Sequence, residues 1–148
     1  MGSCVCLDTS VFLKWLSVES EAWVPQAVSL IERSRDAIIA PAFAWAEVGS
    51  ALRRKVRMGA LTEEEMGRAW LAFLGLGVRF VNTEALVQRA WQLAAELDLP
   101  TLYDASFLAT AELAEGGPCP FWTADEELVR HLAGRKPYVR RLAEHPVG

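Results

Sequence analysis

The feature that most constrains this chain is the spacing of its short apolar runs. Residues 4–7, 37–40, 78–81 and 119–122 form runs too short for stable helices, and stretches of helical periodicity separate them. This alternation predicts a parallel sheet covered by helices on both faces, a three-layer α/β/α domain with a central sheet of four or five strands. The fifth strand rests on residues 138–142, where the pattern is weakest. With 148 residues and 52% hydrophobic composition, the chain is expected to form one domain over 1–148 around a continuous core.

The helical stretches carry their own punctuation. Pro41 and Thr62-Glu63-Glu64-Glu65 open two helices, the second with a capping box, and Met58-Gly59-Ala60 breaks between them. A helical hairpin follows, with Trp45, Val48, Leu52 and Val56 as its apolar stripe. Leu86, Ala90, Leu93, Ala94 and Leu97 line one face of a later helix expected to pack on the sheet. The helix opened by Thr101-Leu102-Tyr103-Asp104 is apolar nearly all round and should be buried. Among the six tryptophans, Trp91 and Trp122 are assigned to the core, and Trp45 and Trp70 to an apolar patch suited to protein association.

Composition excludes several classes of function. A net charge of −4 and a pI near 5.2 argue against a protein whose main task is gripping phosphates, although Arg53-Arg54-Lys55-Val56-Arg57 and Arg140-Arg141 are local basic runs. No apolar run approaches the roughly 20 residues needed to span a bilayer, and the opening residues, Met1-Gly2-Ser3-Cys4-Val5, lack a signal pattern. A cytoplasmic location without membrane contact is expected. The odd cysteine count suits core thiols, with Cys4 and Cys6 on one strand face, and no histidine stands at zinc-ligand spacing from them.

Ligands of open parallel sheets bind at the carboxyl ends of the strands, and there this chain delivers acids. Asp8 ends the first strand, Glu47 lies in the helix after the second, Asp104 opens the buried helix, and Asp125 follows the fourth strand. Each has a structural explanation: a turn for Asp8, surface solvation for Glu47, a capping box with Thr101 for Asp104, and the first turn of a helix capped by Thr123 for Asp125. Convergence of all of them is the stronger argument. Two carboxylates about 4 Å apart repel by roughly 4 kcal/mol at an effective dielectric near 20, so a cation should lie between them. Oxygen ligands alone favour Mg²⁺ or Mn²⁺, ions suited to phosphodiester hydrolysis. Thr9 and Ser10 have no histidine partner and are expected to orient Asp8 or a metal-bound water, with Thr123 doing the same beside Asp125.

Four segments in this order, Leu7-Asp8-Thr9-Ser10, Glu47-Val48-Gly49-Ser50-Ala51-Leu52-Arg53, Tyr103-Asp104-Ala105-Ser106 and Thr123-Ala124-Asp125, resemble the PIN-domain family, in particular its VapC-type toxins. The resemblance implies a doubly wound fold and a Mg²⁺- or Mn²⁺-dependent endoribonuclease. It further implies a homodimer, neutralised by a small antitoxin protein. It makes Asp8, Glu47, Asp104 and Asp125 the catalytic and metal-binding acids, with Thr123 as a supporting hydroxyl.

Rival readings lack their signatures. A receiver-like phosphate acceptor would pair two adjacent acids after the first strand, where Cys6 and Leu7 precede Asp8, and a haloacid-dehalogenase-like phosphatase would have an acid where Ser10 stands. A non-catalytic α/β module binding RNA or protein is the remaining alternative. Such a module would bear the repulsion of the acids for no gain.

Overall fold

The computed structural model describes residues 4–18 and 21–147; Met1 to Ser3, read above for a targeting segment, lie outside them. Five parallel strands form the sheet: β1 (Val5–Leu7), β2 (Ile38–Pro41), β3 (Arg79–Val81), β4 (Phe121–Thr123) and β5 (Val139–Arg141). Their spatial order, β3-β2-β1-β4-β5, places β1 at the centre and reverses the direction of winding between β1 and β4. The weakly patterned fifth strand is therefore real and pairs with β4, matching Val139 with Phe121 and Arg141 with Thr123.

Strand alternation divides the core in two. Cys6, Ile39 and Phe121 face one helical layer, while Leu7, Ile38 and Trp122 face the other, as the two-residue period of a strand requires. The first layer contains α5 (Glu84–Glu96), α6 (Leu102–Glu112) and α7 (Glu126–Leu132). The second contains α1 (Thr9–Trp15), α2 (Val24–Ser34), α3 (Ala44–Arg57) and α4 (Glu63–Leu74). The result is the three-layer α/β/α fold.

Local signals account for several helix starts. Thr62 and Glu65 form the reciprocal capping box at the start of α4. Thr83 caps α5 by accepting from the Leu86 amide, and Leu86, Ala90 and Leu93 are its buried stripe. Every residue of α6 from Ala105 to Ala111 is buried, in keeping with its apolar circumference. At Gly49 in α3 a Cβ would stand 3.2 Å from the Trp70 ring, so the missing side chain lets α4 approach closely.

Three expectations need correction. Pro41 closes β2 and does not open a helix; α3 begins at Ala44. Trp91 is 69% exposed because it lies off the Leu86-Ala90-Leu93 stripe of α5, and only Trp122 of the two packs against the core. Trp45, 51% exposed, agrees with the apolar patch expected of it but not with a place in the packed stripe of α3, which is Ala44, Val48, Ala51 and Leu52. The two tryptophan errors share one cause: size and apolarity outweighed helical phase. Leu93→Ala should cost about 2–5 kcal/mol in urea unfolding, whereas Trp91→Ala should fall within about 0.5 kcal/mol of the parent.

Candidate active site

The chain reverses its winding between β1 and β4, and a crevice opens beyond the carboxyl ends of those two strands. Asp8 leaves β1 there as the N-cap of α1, its amide donating to the Trp122 carbonyl of β4 at 3.0 Å. Thr123 ends β4, and Asp125 caps α7 by accepting from the Leu128 amide at 3.1 Å. Glu47 comes from the first turn of α3 and Asp104 from the first turn of α6. Asp8, Glu47, Asp104 and Asp125 all line one concavity of about 370 Å³, together with Thr9, Ser10, Lys14 and Tyr103.

The hydroxyls hold the acids in place. Ser10 Oγ and Thr123 Oγ1 both donate to Asp8 Oδ2, at 2.8 and 2.7 Å. Each is fixed in turn by a backbone amide, Ser10 Oγ accepting from Ala124 and Thr123 Oγ1 from Asp125. Thr9 Oγ1 donates to Glu47 Oε1 at 2.6 Å, which ties the start of α1 to α3. Thr9 and Ser10 thus serve different acids.

These contacts decide among the local explanations. Thr101 makes no side-chain cap, so Asp104 is not a capping-box partner. Asp125 is itself the cap of α7, while Thr123 remains in the strand and supports Asp8. Capping and site geometry are compatible for Asp125, because the cap occupies its Oδ1 oxygen.

Asp8 is only 8% exposed, and burial raises its carboxyl to about 6 against the opposing pull of the Thr123 and Ser10 hydrogen bonds, with Asp104 and Asp125 adding repulsion. Asp104 is also raised, first by burial and then by Asp125 and Glu47. Among the described residues, no three His, Cys, Asp or Glu side chains are drawn together closely enough to hold a metal ion as they stand. The donor chemistry nevertheless fits a hard divalent cation: the acids lining the concavity offer oxygen alone, and the repulsion felt at Asp8 is what a cation would relieve.

One residue of this wall escaped the sequence reading. Lys14 is 7% exposed, lines the concavity and holds its ammonium 5.7 Å from the centre of the Trp23 ring. Its position one helical turn after Ser10 was the available signal.

The sign of the Asp8 shift can be tested. A carboxyl raised from 3.8 to about 6 gives the native state the greater proton affinity, so its contribution to stability falls as pH rises from about 4 to 6. At one pKa unit per about 1.4 kcal/mol, the full effect is about 3 kcal/mol. In EDTA at pH 8, Asp8→Asn should therefore melt above the parent, and the gap should close as pH falls below 6. Equal melting at both pH values would contradict the buried charge.

The fold agrees with what comparison shows. The PIN domain family matches residues 5–133, a span that includes all four acidic segments. No curated protein matches the chain. On the family match, which covers most of its length, the chain belongs to the PIN domain family, whose members are generally nucleases dependent on divalent metal ions.

Proposed function

We propose that this chain is a Mg²⁺- or Mn²⁺-dependent endoribonuclease of the VapC toxin type, acting as one domain over residues 1–148. The observation that carries the reading is the arrival of Asp8, Glu47, Asp104 and Asp125 from four separate segments in one crevice at the switch point of the sheet. Such convergence is costly unless a cation and a phosphate use it.

In this reading the four carboxylates would hold the metal, and the hydrogen bonds described above fall on Asp8 Oδ2, Glu47 Oε1 and Asp125 Oδ1. A bound divalent ion supplies an activated water and offsets the charge that develops on the phosphate. Thr123 and Ser10 fix the direction of Asp8, and Thr9 fixes that of Glu47. Tyr103, 59% exposed at the mouth and edge-on to Phe43, offers a ring on which a base of single-stranded RNA can stack.

The toxin reading includes a homodimer and a small antitoxin that covers the acids. Its support is the order of the four motifs, together with an apolar concavity of about 410 Å³ between α3 and α4, lined by Trp45, Gly49, Met66 and Trp70. Trp70 rests against Gly49 and so serves the hairpin itself, which makes the more exposed Trp45 the cleaner probe of association. Trp45→Glu should shift sedimentation from dimer to monomer; an unchanged profile removes this face from the dimer.

Cleavage of a mixed RNA pool should require Mg²⁺ or Mn²⁺ and disappear in EDTA. Asp8→Asn and Asp104→Asn should each lower the rate by at least about 100-fold, the scale of losing a group that stabilises the transition state, with unchanged circular dichroism. Full activity in both variants would refute the site, and metal-independent binding of RNA without cleavage would favour the non-catalytic reading.

A further inference from the structure

Away from the carboxylates, at the edge where β1 and β4 begin, three free thiols lie in one apolar cluster: Cys4, Cys6 and Cys119. Cys6 stands opposite Phe121 and Leu7 opposite Trp122; Cys4 lies one residue before β1 and Cys119 two before β4, so the same register continued past the strand ends brings Cys4 toward Cys119. Both side chains belong to the apolar cluster that contains Cys6. The two thiols are near enough to feel each other: Cys119 is held above its ordinary range first by burial and then by Cys4. Neighbouring strands lie about 4.7–4.9 Å apart, within the roughly 4.4–6.8 Å between Cα atoms that a disulfide spans.

We propose that Cys4 and Cys119 form an oxidisable dithiol that peroxide closes to an intramolecular disulfide, with Cys4 reacting first and Cys119 resolving. The proposal is independent of the nuclease reading. Cys4 is the half-buried member of the pair, and Cys119 and Cys6 are buried. The Cys4 thiolate attacks a peroxide oxygen; an S–O bond forms, the O–O bond breaks and hydroxide leaves, giving a sulfenic acid. The Cys119 sulfur then attacks the Cys4 sulfur, forming the S–S bond, and the sulfenic oxygen departs as water with the Cys119 proton. In sum, two thiols lose two electrons and two protons while one hydrogen peroxide becomes two waters.

The environment orders these steps. Burial, and after it the neighbouring Cys4 sulfur, pushes the Cys119 thiol up to about 12, which suits it to the resolving role and leaves the half-buried Cys4 to meet the peroxide first. Cys6 takes no part: its thiol points at the Phe107 carbonyl, 3.6 Å away, and its cross-strand neighbour is Phe121.

The test uses the reduced full chain treated with hydrogen peroxide, then unfolded and alkylated. The expected result is a fall from three alkylatable thiols to one, a peptide pair joining Cys4 to Cys119, and a higher melting temperature reversed by dithiothreitol. Cys4→Ser should abolish the cross-link, and Cys119→Ser should leave a sulfenic acid that dimedone traps at Cys4. Three thiols still alkylatable would overturn the proposal. So would a cross-link through Cys6 or between two chains, or conversion of Cys4 to sulfinic acid without any cross-link. The peptide map of the parent protein decides the matter even if a variant fails to fold.

Discussion

A carboxylate buried between two strands governs this structure. Asp8 is nearly removed from water, and an ionised group there is tolerable only with donors directed at it. Those donors are the hydroxyls of Thr123 and Ser10, each held by a backbone amide from the segment after β4. The central strand pair, the start of α1 and the turn into α7 are thus tied to one side chain. Even so, the hydroxyls do not outweigh burial, and Asp8 remains harder to ionise than a carboxyl in water. The imbalance is one that a cation would relieve, as the proposed function requires.

The sheet explains why the acids meet. Placing β1 at the centre, with β4 on one side and β2 on the other, brings the loops after all three strands to a common crevice. Asp8, Glu47 and Asp125 follow from that order alone. Asp104 needs a further element, α6, whose buried body seats its first turn against the crevice. The same burial means that α6 has little freedom to withdraw its acid.

Much of this was legible in the chain because the responsible signals are local. Short apolar runs gave the strands, Thr62 with Glu65 gave a cap, and the all-apolar helix gave its own burial. What stayed hidden depends on phase or on partners far away in sequence. Trp91 was misplaced because a large apolar side chain suggests the core until its angle around the helix is set against Leu86, Ala90 and Leu93. The partition of labour between Thr9 and Ser10 could not be read, since their acceptors lie 38 residues apart from one and two from the other. Lys14 was missed because a lone lysine on a helix is ordinarily a surface residue.

The bond from Thr123 to Asp8 closes a separation of 115 residues, and β1 pairs with β4 across the same interval. Contacts this distant form late, since the entropy of closing so long a loop must be met before the pairing rewards it. During synthesis the chain therefore carries its first acid from the outset but cannot build the crevice until β4 and Asp125 have been made. On the proposed reading, the catalytic crevice is among the last parts of the molecule to be completed.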